Sequence, residues 1–459
     1  MQFFLLKGSA MPVDFSFLKS NHSSQEPLST ISLEQKIFPK QIAKLFLGQA
    51  AREGYLAAID QGAISLANFL ATIILARSAS PTEVGVYGVG FTALRLIRSI
   101  QEGLTIQPMN VIGAGMKEEE FRRYATGTSL MQVAMAFLSA AVVAAGGWVL
   151  TAAGNDVAGP TLFALWFVFL WWQLQEYIRR MMYTRGTVFN AVLNTILANV
   201  VRLVLMIWWQ RLGKLDGIAS LDAIGWGSLA ALLPGLWFTR HFWGRSWLSL
   251  RQTWQRNWDF GRWMMGGTLA NWVAVEFYPV LTAGMISFAA AGAYRALQNL
   301  VAPIHLLLRA IDTFLTPRAA RQFAQHGKPA LNRTIGFIYL TAGIPILGVL
   351  AIAVLFPEQI LRLLYGETYV PYAGGVILFA IFYALWFAYW PMQTALKAAR
   401  FSRPIFIANL AAIIGMFTAG VWAIQRWGVF GTIAGQALNS LVVGIILWAA
   451  WIRIKQKSG

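Results

Sequence analysis

The sequence predicts an all-α polytopic membrane protein with about twelve transmembrane helices in two parallel six-helix bundles. Three observations carry that prediction. Of the 459 residues, 57% are hydrophobic and 12% are charged, and the apolar residues gather in runs close to the ~20 that cross a bilayer. Period-two alternation is absent, which argues against a membrane β-barrel. An arginine, an acid and a proline recur at similar spacing on two otherwise apolar segments: Arg98, Glu102 and Pro108, then Arg309, Asp312 and Pro317. A charge at the centre of a lipid-facing helix costs at least roughly 2.5 kcal/mol, so the two clusters point to a polar interior made by two similar halves.

Residues 1–44 are polar, lack periodicity and are expected to form a mobile cytoplasmic tail. No cleavable signal peptide is expected, because the apolar run Phe3 to Leu6 is too short and no small-residue cleavage site follows it. Met11 is a second candidate for the start. Phe38 to Leu47 is expected to be a short amphipathic helix. Six apolar runs follow within residues 45–239, starting near Tyr55, Val84, Ala125, Gly159, Val188 and Ile218. In the linker, 240–262, Trp243, Trp247, Trp254 and Trp258 share one helical stripe, with Arg245, Arg251 and Arg256 mostly elsewhere. That pattern predicts an amphipathic helix in the membrane interface. A nucleic-acid patch is the sharper alternative, and the flanking membrane spans argue against it.

Six further runs fall within 263–453, starting near Trp263, Ala290, Thr334, Tyr369, Phe401 and Val429, and a short tail, 454–459, ends the chain. Gly431 and Gly435 form a GxxxG on the last helix, expected to serve close packing. Pro108, Pro279, Pro303 and Pro317 sit in or near helices and are expected to bend them.

The two sets of six runs repeat. Gly85-Val86-Tyr87 opens the second helix and Gly292-Ala293-Tyr294 the eighth; the tyrosines lie 207 positions apart, the arginines of the paired clusters 211 and the prolines 209. Two small gaps reconcile these offsets. An even number of helices per half gives both halves the same orientation, related by an axis along the membrane normal with a site between them near mid-membrane.

The chain carries 37 Lys+Arg against 19 Asp+Glu. A basic excess can signal nucleic acid, but topology explains it here. Alternate loops and both termini hold 27 basic residues, the opposite loops hold five (Arg77, Arg211, Lys214, Arg362 and Arg426), and five lie inside helices. This bias predicts cytoplasmic termini and a multi-pass protein of the cytoplasmic membrane, with membrane lipids and not nucleic acid as surroundings. The absence of cysteine excludes a disulfide framework and thiolate chemistry. No phosphate-binding GxxxxGK[ST] loop, HExxH or clustered Cys/His site occurs, nor a Gly-x-Ser-x-Gly elbow, so neither enzyme, cofactor nor metal is expected.

The segment from Leu75 to Gly88, an apolar run with an Ala-Arg end, a polar turn and then Gly-x-Tyr, resembles the first external turn of polysaccharide-export flippases. These belong to the multidrug/oligosaccharidyl-lipid/polysaccharide exporter superfamily. Arg400 to Gly435, with a basic loop, an apolar helix and then Gly428-Val-Phe-Gly431, is similar to the same family. The resemblance covers roughly residues 45 to 455. It implies a V-shaped central cavity between the two bundles and transport, by alternating access, of isoprenoid-pyrophosphate-linked sugars between leaflets, with other polysaccharide-assembly proteins as candidate partners. Two alternatives stand beside it. An ion-coupled exporter of drugs or small cations on the same fold would want an acid-dominated cavity. A membrane polysaccharide polymerase or ligase would want a large outer loop with paired catalytic residues.

Arg95, Arg98 and Glu102 share a helix face by their spacing, and Arg295, His305, Arg309 and Asp312 share another. Such charged stripes are expected to face protein or water. Arg95, Arg98, Arg295 and Arg309, with Arg202 behind them, are the candidate substrate ligands, since guanidinium groups grip a pyrophosphate by bidentate, charge-assisted bonds. Asp60, Glu102, Glu276 and Asp312 are candidates for ion coupling or for pairing with these arginines, and His305 is a weaker proton-relay candidate. Structural ion pairing is the plain alternative: five arginines and five acids, Glu176 among them, balance inside the helices. Glu176 is expected to pair with Arg179 and Arg180 at an interfacial helix end.

Overall fold

Each predicted apolar run lies on a helix. The computed structural model describes residues 49–244, 250–399 and 401–453, and among these there is no strand. The expected tail, the Phe38–Leu47 helix, Arg245 and Trp247 lie outside the described residues. So do the side chains of His305, Arg309, Asp312 and Pro317, whose backbone is helical. Contacts divide the chain at Arg52. Of the unit before that point only residues 49–52, the start of a helix, are described, and residues 53–459 form the second unit.

The helices, in chain order, are α1 (Gln49–Ser78), α2 (Pro81–Gln101), α3 (Gln107–Ile112), α4 (Glu118–Ala152), α5 (Ala158–Thr184), α6 (Val188–Arg211), α7 (Gly217–Thr239), α8 (Leu250–Glu276), α9 (Tyr278–Met285), α10 (Phe288–Leu300), α11 (Ala302–Leu355), α12 (Pro357–Tyr365), α13 (Ala373–Ala398), α14 (Ser402–Gly415) and α15 (Val421–Arg453). Among the described residues, seven helices are long and apolar enough alone to cross a membrane, and one of these, Arg403–Arg453, covers two predicted runs. Of the remaining four runs, that from Gly159 is the unbroken 27-residue α5, and the other three are interrupted. Pro279 and Pro303 stand in the first turns of α9 and α11, just after the breaks at Phe277 and Val301. Proline has no N–H to continue the preceding helix. Pro108 sits at the start of α3, and the strain before it is taken up by a π-turn over Glu102–Ile106. The opposite effect joins runs: α11 and α15 each hold two helices meeting at Gly327 (φ 65°) and Gly428 (φ 58°), a left-handed backbone that glycine adopts without a Cβ penalty.

Side chains at the helix starts show the repeat directly. Ser80 caps α2 by accepting from the Glu83 N–H, and Ser287 caps α10 by accepting from the Ala290 N–H. Helices α2 and α10 then meet along their first turns in a reciprocal contact. A Cβ on Gly85 would lie 1.8 Å from the Phe288 carbonyl oxygen, and one on Gly292 would lie 2.0 Å from the Pro81 carbonyl oxygen. Residue 85 meets 288 while 292 meets 81, the self-complementary pattern of a two-fold axis. The offset of these partners is the 207 of the tyrosine repeat.

Helices α4 to α7 pack on one another, α13 packs on α11 and α15, and α14 packs on α15; α2 joins the two sets by contacting α10 and α8. Gly431 of the GxxxG lies against the Ala423 carbonyl and Gly435 against Gly420, so the motif serves backbone approach. The expected linker helix is corrected at its start, where Trp243 stands in extended backbone after the short turn Arg240–Phe242. Trp254 and Trp258 belong to a helix that continues unbroken into the seventh span, since Leu250–Glu276 is one element. Trp254 and Trp258 stack on its outer side with ring centroids 5.5 Å apart. Its inner side repeats Thr253, Asn257 and Gly261, all buried. Asn257 accepts from Tyr124 Oη at 2.7 Å and donates to the Leu104 carbonyl of the π-turn at 3.0 Å, as burial of polar groups requires.

A second contact ties distant segments. Arg77, at the end of α1, donates Nε to the Leu364 carbonyl at 3.0 Å and Nη2 to the Leu363 carbonyl. These are last-turn carbonyls of α12, which lack intrahelical partners and favour a cation. Arg77→Ala is expected to loosen that turn by about 1 kcal/mol, read as roughly five-fold faster hydrogen exchange at the end of α12.

Candidate functional site

Two charged clusters are built on α2, which lies centrally among its neighbours. The first joins α1, α2 and α5. Glu176 accepts from Arg179 through Nε at 2.8 Å and Nη2 at 2.7 Å, and from Arg180 Nε at 2.9 Å. The third donor nitrogen of Arg179 bonds Asp60. Arg98 lies 3.7 Å from Glu176 and 3.6 Å from Glu102, and Glu102 also accepts from Gln107 at 3.0 Å. The expected interfacial pair at Glu176 is therefore corrected: Asp60, Glu176 and Arg179 are buried, at 0%, 4% and 2% exposure. The reason is three-dimensional. Asp60 on α1 approaches the same guanidinium through Oδ2, so two buried carboxylates share Arg179, while Asp60 Oδ1 has no hydrogen-bond partner among the described residues.

The second cluster joins α2, α6, α8 and α10. Arg95 pairs with Glu276 at the end of α8. The Phe91 ring, one turn before Arg95, takes two guanidiniums, Arg95 at 5.3 Å and Arg295 at 4.8 Å from its centroid, both within cation–π range. Arg295 also donates to Gln298 at 3.0 Å. Arg202 donates to Asn68 at 2.9 Å and to the Tyr87 hydroxyl. Among the described residues neither Arg202 nor Arg295 has a carboxylate within salt-bridge distance, and the Nε of each lacks a hydrogen-bond partner. Both side chains are buried, whereas those of Arg95 and Arg98 are 36% exposed.

The structure thus brings together Arg95, Arg295, Arg202 and Glu276, and separately Arg98, Glu102 and Asp60. The Arg309 and Asp312 side chains lie outside the described residues. The sequence pairs Arg179 and Arg180 with Glu176, as the structure does, but counts them with loop charges and not with the interior set, and it does not indicate the aromatic seat at Tyr87 and Phe91. The signal was present: Glu176, Arg179 and Arg180 are spaced three and four apart inside an apolar run, and Tyr87, Phe91 and Arg95 are spaced four apart on α2. In the two clusters the described charges number six guanidiniums and four carboxylates. The surplus of two cations belongs to the second cluster, because the first is neutral.

No protein-family model and no curated protein sequence matches the chain. Solved structures do. An inward-facing multidrug resistance MATE family transporter of the MOP superfamily aligns over 85% of this chain and 96% of its own, with a TM-score of 0.68 and 14% identity. The chain has the fold of the MOP superfamily. A MOP superfamily transporter from Pyrococcus furiosus, described by the reverse polarity of its binding pocket, aligns over 88% of this chain and 95% of its own (TM-score 0.61, 14% identity). The lipid II flippase MurJ in its inward closed conformation aligns over 86% and 87% (TM-score 0.60, 11% identity). The superfamily is the one that the Leu75–Gly88 and Arg400–Gly435 segments resemble.

Proposed function

We propose that this chain is a flippase for isoprenoid-pyrophosphate-linked oligosaccharide or polysaccharide units, carrying them across the cytoplasmic membrane by alternating access. The observation that supports this reading most is the surplus of two guanidiniums, Arg202 on Tyr87 and Arg295 on Phe91. A diphosphate joining a lipid to a sugar carries about two negative charges, and arginine binds phosphate oxygens in pairs. In this proposal Arg95 and Arg98 make first contact, because they are the exposed members of the set. The cargo diphosphate displaces Glu276 from Arg95 and draws Arg98 away from Glu102, and Arg295 and Arg202, already fixed on aromatic rings, supply the remaining positive charge. Arg309 and Asp312 are assigned to the same path by their position in the repeat. Both termini are placed in the cytoplasm, so the Gly85–Gly292 contact closes the outer end. The two six-helix sets, 45–239 and 263–453, rock about that contact.

Arg95→Ala combined with Arg98→Ala removes both exposed cations. Two charge-assisted contacts of roughly 1.5–3 kcal/mol each set the expected loss of transport at about 100-fold or more, with lipid-linked glycan trapped on the cytoplasmic leaflet and a normally inserted, monodisperse protein. Wild-type export by this variant would sink the role given to these arginines. A second reading, an ion-coupled exporter of cations on the same fold, draws on the partial exposure of the Glu276 and Glu102 side chains, 22% and 25%. Deleting the gene separates the two: the first reading expects accumulated lipid-linked glycan, the second expects sensitivity to cationic compounds and no trapped glycan.

A further inference from the structure

Helices α6 and α7 enclose an apolar groove of about 530 Å³. Val201, Leu205, Trp208 and Trp209 form one wall, and Trp226 and Leu229 the other. The first three follow helical spacing, so the groove runs along α6 as a stripe. Trp208 and Trp226 remain about half exposed, so the groove opens away from the protein interior. Charge appears at one end of the stripe. Arg211 follows Trp208 by three residues on α6, and Lys214 comes just after the helix. On α7, Asp222 precedes Trp226 by four residues, one turn along the same face. Among the described residues, none of these three side chains forms an ion pair or hydrogen bond, although Asp222 is half-buried in a membrane helix. The nearby Asp216 is occupied in capping α7 through the Ala219 N–H.

An apolar channel that ends in two cations and one unpaired carboxylate has the complement of a zwitterionic amphiphile with a hydrogen-bonding ammonium. We propose that the α6–α7 groove binds one chain of a phosphatidylethanolamine-type lipid, its phosphate against Arg211 and Lys214 and its primary ammonium against Asp222. Chemistry sets the order among lipids. A half-buried carboxylate needs a partner that donates hydrogen bonds, which the methylated ammonium of phosphatidylcholine does not. Phosphatidylglycerol brings the chain and the phosphate but places no cation beside Asp222. The site uses none of the charged residues around Phe91 and stands whatever the central path carries.

The test is native mass spectrometry of the full chain, purified in detergent and mixed with equal amounts of phosphatidylethanolamine, phosphatidylglycerol and phosphatidylcholine bearing the same chains. The wild type is expected to retain one phosphatidylethanolamine with about ten-fold preference over either competitor, the scale of one charge-assisted hydrogen bond. Asp222→Asn is expected to erase the preference over phosphatidylglycerol. Arg211→Gln is expected to lower retention of both phosphatidylethanolamine and phosphatidylglycerol. Leu229→Trp, which fills the groove, is expected to lower retention of all three. Equal retention of the three lipids by the wild type, preference for phosphatidylglycerol, or an unchanged preference in Asp222→Asn overturns the proposal. If Asp222→Asn does not purify as a monodisperse protein, the Arg211→Gln and Leu229→Trp results decide, and wild-type retention in both overturns it.

Discussion

Arg179→Ala is expected to destabilise the protein by about 3–5 kcal/mol, the range for removing one partner of a buried ion pair. The guanidinium holds Asp60 and Glu176 at once, and none of the three has appreciable access to solvent. After truncation Glu176 keeps Arg180 and the more distant Arg98, but Asp60 loses its ion-pair partner and stays buried. The measurement is thermal unfolding of the purified protein, together with the fraction recovered as a monodisperse species. Removing the charges together tests the cause. Asp60→Asn with Arg179→Gln leaves hydrogen-bonding groups of similar size and no lone buried charge at Asp60, so it is expected to recover most of the lost stability. An Arg179→Ala variant within about 0.5 kcal/mol of wild type would show that water reaches this cluster and that it is not structural.

The second large effect is expected at Gly85 and Gly292. Real Cβ atoms essentially never approach other atoms as closely as the 1.8 and 2.0 Å that a side chain would face there. Valine at either position must push α2 and α10 apart by more than about 1 Å, and closely packed helices do not deform gradually. The start of the α2–α10 contact then stays open, and a carrier that needs this end to close stops cycling. The chain has no native cysteine, so a single reporter suffices. Ala291→Cys, at a buried position on α10, is expected to react with a soluble maleimide at least about ten-fold faster when combined with Gly85→Val. Gly146→Val, where nothing lies within 4 Å of the added Cβ, is the control and is expected to leave the rate unchanged. Slow labelling in the Gly85→Val background would show that the helices accommodate the side chain by another route.

The helices were legible because lipid imposes a strong rule: each segment in hydrocarbon must satisfy its own backbone. That rule places the apolar runs from Tyr55 to Val429, and the proline breaks before α9 and α11 follow from a missing N–H. Other features were only partly legible. The 207-residue offset of Tyr87 and Tyr294 announced a repeat, yet nothing local indicated that Gly85 and Gly292 face each other across it. The tryptophan stripe at Trp254 and Trp258 was readable as one helix face, while its continuity with the seventh span depended on Thr253, Asn257 and Gly261 packing against α4 and the π-turn. Glu176 was misread as interfacial because sequence shows its neighbours at Arg179 and Arg180 and hides Asp60, more than a hundred residues earlier.

By itself the sequence determined that this is a membrane protein of many helices in two related halves, and that arginines lie inside it. Those properties follow from counting: apolar length, side-chain period and the cost of a charge in lipid are local or additive. The tertiary structure decided which charge meets which. It neutralised Arg98, Arg179 and Arg180 with three carboxylates, gave Arg95 to Glu276, and set Arg202 and Arg295 on aromatic rings with no carboxylate in reach. Ion pairing between helices depends on their relative depth and rotation, which are set by packing across the whole bundle. No single segment carries that information.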